Sequence, residues 1–308
     1  MNLRATVDIG SNSVLLVAGD FSSGYKELLN ESRVTGLGRE LDKNKAFIQE
    51  AMDETFEALN EFKDLCQKIK IPVENIIVTA TEASRVAKNA QDFFLKVKKE
   101  IGMSVTIIDS KGEAYYSAHG IMFNAEIKDE KVYIMDIGGA STEIIELETK
   151  NKKILSSFSM PMGSVRVSTW LKENCAEDYI QDIFQKFSKE LDHVKTSRLY
   201  CVAGTMTSLA NMHLKCKSFE EDKVHGLVMS ISEVQKVKSD YFKMSQEEVL
   251  KLFPFLGKRS RSIHGGMYMV NEIFKRVPVK EVCISTYGLR YGTMDLRKID
   301  DQFIVWKA

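Results

Sequence analysis

The alternation of hydrophobic and polar positions opens each half of the chain with a similar pattern. Residues 3–35 form short runs of β-prone residues separated by polar breaks, which predicts a meander of three strands. The pattern restarts in the second half, where a second meander is predicted at 132–137, 142–148 and 153–159. The repetition indicates that one structural unit occurs twice.

Helices and buried strands alternate after each meander. In the first half the spacing predicts helices at 46–69, 90–100 and 112–123 and strands at 76–78 and 105–108. In the second half it predicts helices at 163–172, 177–193, 260–276 and 288–298, strands at 199–202 and 281–285, and a mostly helical insertion at 218–262. The order βββαβαβα, present twice, predicts a duplicated α/β protein with two mixed five-stranded sheets. The predicted domains are residues 1–124 and 125–308.

The turn between the first two strands of each meander is the most distinctive repeated feature. It reads Asp8-Ile-Gly-Ser-Asn-Ser13 in the first half and Asp136-Ile-Gly-Gly-Ala-Ser141 in the second. Glycine permits positive φ and close approach to a ligand, and successive N–H groups in such turns bind phosphate. An aspartate there is compatible with phosphate when a divalent cation lies between the two. Two half-sites facing a cleft are therefore predicted, with ordinary hairpin turns as the alternative.

The composition narrows the function classes. The chain has 308 residues, 44% hydrophobic and 28% charged, with zero formal net charge, which argues for a soluble two-domain protein and against a nucleic-acid coat or a polybasic membrane binder. Its five cysteines have no paired spacing, and no apolar run reaches about 18 residues, so a cytoplasmic protein without a membrane span is expected. Neither nucleic acid nor membrane is expected as a partner.

Further motifs follow in order along almost the whole chain, and together they resemble the exopolyphosphatase/guanosine pentaphosphate phosphohydrolase (Ppx/GppA) family. Besides the two turns, they are Arg33–Leu41, Thr79-Ala-Thr-Glu-Ala-Ser-Arg85, Gly112-Glu-Ala114, Thr142-Glu143, Met162-Gly-Ser-Val-Arg166, Ala203-Gly-Thr205, Val224-His-Gly226 and Tyr287-Gly-Leu-Arg290. The resemblance implies a duplicated actin-like (ribonuclease H-like) ATPase fold. This chain is similar to the short, two-domain form of the family.

The resemblance also implies an activity. The expected reaction is Mg²⁺-dependent removal of a terminal phosphate from inorganic polyphosphate, with guanosine pentaphosphate as the alternative or second substrate. An additional monovalent cation such as K⁺ and a homodimer are left open.

The resemblance assigns the acidic residues. Glu113 is the expected general base, which takes a proton from the attacking water; a glutamate placed in a first helical turn for its dipole is the alternative. Glu143 is expected to position metal or water, with a solvent-facing strand residue as the alternative. Asp8 and Asp136 are the expected Mg²⁺ carboxylates, together with Glu143; aspartates capping their own turns are the alternative.

The expected phosphate-binding residues come from the two turns and from three further stretches. They are Ser11, Asn12, Ser13, Arg85, Gly138, Gly139, Ala140, Ser141, Gly204, Thr205 and Arg259. Surface positions are the alternative for the two arginines, and a helix start is the alternative for Gly204 and Thr205. Ala140 stands where the family more often has glycine, so φ there is expected to be negative. Lys111, Gly112 and Arg261 also depart from the family pattern.

Two other function classes remain open from the sequence. An actin-like ATPase or sugar kinase would use the same fold with a nucleoside pocket and an acceptor site. A non-catalytic sensor of nucleotides or polyphosphate would keep the fold without turnover.

Overall fold

A computed structural model describes residues 2–123 and 127–308 and divides into two compact α/β units. The first unit comprises the chain up to Phe123 together with Leu289–Ala308, and the second ends at Gly288. The predicted domain boundary between residues 124 and 125 lies outside the described residues.

The strands and helices follow the predicted order in both units. The strands are β1 Leu3–Ile9, β2 Ser13–Asp20, β3 Lys26–Val34, β4 Ile76–Ala80, β5 Val105–Ile108, β6 Lys131–Ile137, β7 Thr142–Glu148, β8 Lys153–Met160, β9 Arg198–Val202, β10 Val228–Ser230, β11 Glu281–Ile284 and β12 Ile304–Lys307. The helices are α1 Leu41–Asn44, α2 Gln49–Lys68, α3 Glu82–Val86, α4 Ala90–Ile101, α5 Ser110–Ile121, α6 Ser164–Lys172, α7 Ala176–Lys186, α8 Ser188–His193, α9 Ala203–His213, α10 Glu221–Val224, α11 Ile231–Tyr241, α12 Gln246–Leu252, α13 Ser260–Arg276 and α14 Leu289–Leu296.

The two units have the same sheet topology. The first sheet has the order β12-β5-β4-β1-β2-β3, and the second has the order β10-β11-β9-β6-β7-β8. In each, an antiparallel meander is extended by parallel strands, so that β1, β4 and β5 run together in one unit and β6, β9 and β11 in the other. This is the predicted duplicated actin-like fold. Each sheet has six strands, one more than predicted.

The last twenty residues belong to the first unit, whereas the sequence placed them in the second domain. Strand β12 pairs antiparallel with β5, and Asp109 N–H donates to Phe303 O at 2.9 Å. Helix α14 packs on α5 and β1, where Thr6 Oγ1 donates to Arg290 O at 2.7 Å. The sequence could not predict this placement, because the hydrophobic period of α14 indicates a helix but not the sheet on which it packs. The long-range contacts decide it.

The second unit also departs from prediction in two places. The insertion at 218–262 contains the edge strand β10, which pairs antiparallel with β11 through Val228 and Cys283. The helix predicted at 177–193 is two helices, α7 and α8, separated at Phe187, whose φ of −103° and ψ of 21° depart from the helical region. Among the described residues, no helix is both long enough and apolar enough to cross a membrane.

Candidate active site

In each unit, the parallel strands place the predicted site residues at the end of the sheet where the carboxyl ends of these strands lie. The carboxyl ends of β1, β4 and β5 are followed by the first turn, by α3 and by α5. The carboxyl ends of β6 and β9 are followed by the second turn and by α9. Because ligands of open α/β sheets bind outside the carboxyl ends of the strands, these are the edges where chemistry is expected.

The two turns have the same backbone geometry. Gly10 N–H donates to Ser13 O, and Gly138 N–H donates to Ser141 O, each at 3.0 Å. Neither glycine uses the positive φ that its residue type permits. Their role is close approach, because a Cβ at either position would lie 3.3 Å from the carbonyl oxygen that accepts the bond.

A glycine-rich segment fixes the first turn from outside. Gly36 N–H donates to Asn12 O at 3.0 Å, and Gly38 N–H donates to Ser11 O at 2.7 Å. A Cβ on Gly38 would lie 2.9 Å from Ser11 Cβ. The side chains of Ser11 and Ser13 are buried within this arrangement, and Asn12 is half-buried. The turn is therefore held by main-chain bonds that do not depend on a ligand.

The start of α6 fixes the second turn in the same way. Ser164 N–H donates to Gly138 O at 3.0 Å, and Val165 N–H donates to Gly139 O at 2.9 Å. Arg166 Nη1 donates to Ala140 O at 2.8 Å. Ala140 has a negative φ, as expected for a non-glycine residue at this position. Since its first N–H groups are used by the turn, α6 acts as a support for Gly138–Ser141.

Two carboxylates lie side by side at the two ends of the second turn. Asp136 on β6 and Glu143 on β7 are direct cross-strand partners, so their side chains are on the same face of the sheet. Glu143 is 2% exposed, which excludes the solvent-facing alternative, and its Oε1 accepts a hydrogen bond from Ser159 Oγ at 2.6 Å. In the first unit, Asp8 has Leu15 as its cross-strand partner. Of the two turns, the second is thus flanked by paired acids and the first is not.

The paired acids fit a divalent cation. Like charges directly opposite in a sheet destabilise it unless a cation neutralises them. Mg²⁺ takes one or two carboxylates and completes its shell with waters and substrate phosphates. Among the described residues, no group of three or more His, Cys, Asp or Glu side chains is arranged to hold a metal by itself. Asp136 and Glu143 are the residues that would hold Mg²⁺, with Asp8 as the acid of the other turn.

Glu113 lies in the first turn of α5, directly after β5. The helix is capped by Asp109, whose Oδ1 accepts from Gly112 N–H at 2.7 Å. Gly112 packs against Phe303, because a Cβ there would lie 2.7 Å from Phe303 Cβ. Glu113 is only 8% exposed, so the carboxylate sits in a desolvated setting at the carboxyl edge of the sheet.

Arg85 contacts Glu113 directly. Its Nη1 donates to Glu113 Oε2 at 2.9 Å and to Ile108 O at 2.7 Å, while its Nη2 donates to Glu82 Oε2 at 2.8 Å. Burial would lower the pKa of Arg85, but the carboxylates of Glu113 and Glu82 outweigh it and raise that pKa above its ordinary value. The guanidinium is therefore a fixed cation with 15% of its side chain exposed, and the surface alternative does not hold.

The turn from β9 into α9 brings Gly204, Thr205 and Arg259 together. The Arg259 guanidinium lies against Gly204, where a Cβ would overlap it. Arg259 is half-buried as a residue, but burial of its guanidinium lowers its pKa to about 10. Thr205 is 4% exposed and packs its methyl group on Gly266 of α13. Glycine is thus needed at position 204, because a Cβ there would exclude the Arg259 guanidinium from the start of α9.

Ala203 begins α9 with a φ of 69°, which is the left-handed region. We expect Ala203→Gly to stabilise the protein, because the left-handed conformation costs an alanine about 1–2 kcal/mol and the added unfolded-state entropy of glycine offsets only about 0.4–1 kcal/mol. Urea unfolding measures the difference. Ala210→Gly, in the ordinary helical part of α9, is the control and should destabilise by about 1 kcal/mol or more. Equal losses from both changes would contradict strain at Ala203.

Four residues at these edges were given no role from the sequence. Glu82 and Ser159 bond to Arg85 and Glu143, and Gly163 and Arg166 hold the second turn. Glu82, Gly163 and Arg166 lie within the motifs Thr79–Arg85 and Met162–Arg166, and their place in these motifs was the sequence feature that could have indicated them. Ser159 could not be found, because its position opposite Glu143 depends on the register of β7 and β8, which shifts between Glu146 and Leu147.

Repeated phosphate-type turns, paired acids and a buried glutamate on a duplicated actin-like fold are features that suit a protein that binds phosphate groups. A protein-family model identifies the family: the Ppx/GppA phosphatase family matches residues 16–297. The chain belongs to the Ppx/GppA phosphatase family.

Individual relatives agree with this placement. The chain is 29% identical over 296 residues to the bifunctional 3-dehydroquinate synthase/phosphatase of Fusobacterium nucleatum, covering 88% of this chain but 43% of that protein. It thus spans less than half the length of that curated relative. An Aquifex aeolicus Ppx/GppA enzyme is similar in structure, with a TM-score of 0.75, 28% identity and coverage of 94% and 98%. An exopolyphosphatase from Cytophaga hutchinsonii shares the fold, with a TM-score of 0.86, 22% identity and coverage of 97% and 100%.

Proposed function

We propose that this phosphatase hydrolyses the terminal phosphoanhydride of inorganic polyphosphate, with Glu113 as the general base. The observation that supports it most directly is the buried Glu113 carboxylate at the carboxyl edge of the first sheet, 2.9 Å from the cation of Arg85. A carboxylate is the group that can accept a proton from the attacking water.

The remaining residues serve positioning and charge. Hydroxyl and N–H groups of Ser11, Asn12 and Ser13 bind phosphate oxygens in the first unit, and those of Gly138, Gly139, Ala140 and Ser141 do so in the second. Gly204, Thr205 and the Arg259 guanidinium add donors at the start of α9. Phosphoryl transfer requires mainly such positioning and electrostatic stabilisation.

In this proposal Asp136 and Glu143 would hold Mg²⁺ in the second unit, and Asp8 is the corresponding acid of the first unit. Bound Mg²⁺ supplies neutralisation of charge on the phosphate oxygens. Ser159 donates to Glu143 Oε1 at 2.6 Å, which orients the carboxylate. The chain contributes the acids, and the substrate phosphates complete the coordination.

Phosphate release by the purified protein tests the function. Short-chain polyphosphate, long-chain polyphosphate, guanosine pentaphosphate and ATP are compared with Mg²⁺, with and without K⁺. We expect release from polyphosphate. Preferential release from guanosine pentaphosphate would select the alternative substrate within the same reaction, because both carry a terminal phosphoanhydride. Release from ATP alone, or from none of the four, would overturn the proposal.

Asp136→Asn tests the metal. We expect it to raise the Mg²⁺ concentration needed for half-maximal activity by about tenfold or more, since one carboxylate ligand is lost. Without metal it should stabilise the protein slightly, because it removes like-charge repulsion with Glu143. Phosphate release across a Mg²⁺ titration measures the first effect, and thermal unfolding in EDTA measures the second. Asp178→Asn, on the surface of α7, is the control. An unchanged Mg²⁺ requirement in Asp136→Asn would remove Asp136 from the metal site.

A further inference from the structure

The guanidinium of Arg85 is held by three acceptors that belong to the protein. Its Nη1 donates to Glu113 Oε2 and to the Ile108 carbonyl, and its Nη2 donates to Glu82 Oε2, all at 2.7–2.9 Å. The fork of an arginine matches a pair of such acceptors, so the group is oriented as well as neutralised. Three of its five N–H donors are therefore directed at acceptors of the protein.

The three residues come from different elements. Glu82 and Arg85 lie on α3 after β4, and Glu113 lies on α5 after β5. Arg85 also donates to the carbonyl of Ile108, which is the last residue of β5. The guanidinium therefore links α3 to the end of β5 and the start of α5. Side-chain exposures of 15% for Arg85, 21% for Glu82 and 10% for Glu113 show that solvent screens these charges only in part.

We propose that Arg85 and Glu82 form a positioning pair for Glu113. Glu82 fixes one arm of the guanidinium, and the other arm fixes the Glu113 carboxylate in a single orientation. A catalytic base oriented by a further group is a general arrangement in enzymes. The inference rests on the proposed role of Glu113 and replaces phosphate contact as the role expected for Arg85.

The two roles predict different kinetics. A positioning residue acts through Glu113, so Arg85→Gln should lower kcat about 10–100-fold, within the loss caused by removing the base itself, and change KM little. In a Glu113→Gln background it should then cause no further loss of kcat, because the group that it orients is already absent. A phosphate ligand would instead raise KM and add its effect to that of Glu113→Gln.

Glu82→Gln separates the roles by the sign of its effect on KM. If Arg85 orients Glu113, weakening the Glu82 arm lowers kcat about threefold to tenfold and leaves KM unchanged. If Arg85 binds phosphate, removing a competing negative charge beside it lowers KM. Arg85→Lys should recover only part of the kcat lost in Arg85→Gln, because an ammonium lacks the fork that reaches three acceptors.

Arg33 provides a matched control in the same unit. Its guanidinium also donates to two carboxylates, those of Glu31 and Glu61, and to the Ser32 carbonyl, but it lies on the edge strand β3 with 35% of its side chain exposed. Arg33→Gln should leave kcat and KM unchanged. Circular dichroism of each variant verifies folding, and Glu82→Gln serves as the decisive variant if Arg85→Gln unfolds.

The closing experiment measures kcat and KM on short-chain polyphosphate for wild type, Glu82→Gln, Arg85→Gln, Glu113→Gln and the Arg85/Glu113 double variant. Lower kcat, unchanged KM and no added loss in the double variant support the positioning pair. A lower KM in Glu82→Gln, or an added loss in the double variant, overturns it while Glu113 remains the base. Full activity of Glu113→Gln would contradict the proposed function itself. This outcome is distinguishable from the two outcomes that concern Arg85 and Glu82.

Discussion

Glu113→Gln is expected to lower kcat about 10²–10⁴-fold on the substrate that the wild-type protein hydrolyses, with KM changed by less than about threefold. The amide keeps the shape of the side chain but cannot take a proton from water. Because Glu113 is 8% exposed and bonds to Arg85, the change also leaves that cation with a neutral partner. Steady-state phosphate release with Mg²⁺ measures the loss.

Two comparisons make the result interpretable. Glu57→Gln, an exposed glutamate on α2, should retain full activity and shows what loss of a surface charge does. Thermal unfolding should show Glu113→Gln to be folded, with Glu82 still bonded to Arg85 to limit the cost of the missing charge. Retention of more than about a tenth of wild-type kcat by the folded variant would exclude Glu113 as the general base.

The location of Glu113 could be predicted because the relevant information is local. A buried strand followed by a helix places the first helical turn at the carboxyl edge of a sheet, and Val105–Ile108 followed by Ser110–Ile121 has that order. The two turns were found for a similar reason, since their residues are contiguous and occur twice. Fold class and candidate acids therefore followed from short stretches.

The contacts that fix these residues are not local. Arg85 bonds to Glu113, 28 residues away, and Glu143 to Ser159 across a ladder whose register shifts. Strands β10 and β12 have three and four residues, too few for alternation to distinguish them from loops. Residues Ile304–Lys307 form a strand because they pair with β5, and this pairing joins residues about 200 positions apart.

The roles of the turn glycines show the same limit. Glycine permits both positive φ and close approach of other atoms, and the structure has no positive φ at Gly10 or Gly138. The actual reason is steric, a carbonyl oxygen 3.3 Å from the Cβ position. Both reasons predict the same residue type, so the sequence alone could not separate them. Only the arrangement of neighbouring main chain does so.

The same steric restriction is tighter at Gly163 than at Gly138, so Gly163→Ala is expected to disturb the second turn. A Cβ there would lie 2.5 Å from Ala140 N and closer still to the Gly139 carbonyl carbon. Main-chain atoms cannot swing away as a side chain end does, so either the turn or the start of α6 must shift. Overpacking of this kind costs about 1–3 kcal/mol, which corresponds to a fall in Tm of about 3–10 °C.

In Gly163→Ala, kcat/KM should fall by more than the loss of stability alone would cause. Ser164 N–H and Val165 N–H bond to the carbonyls of Gly138 and Gly139, so a shift of α6 moves the N–H groups proposed to contact phosphate. A displacement of about 1 Å at such a site costs on the order of 10²-fold in rate. Gly288→Ala is the matched control, because its nearest neighbour would be Val202 Cβ at 3.8 Å and its φ is ordinary. If Gly163→Ala matched that control in both Tm and kcat/KM, the second turn would not depend on α6, and its phosphate-binding role would lose its structural basis.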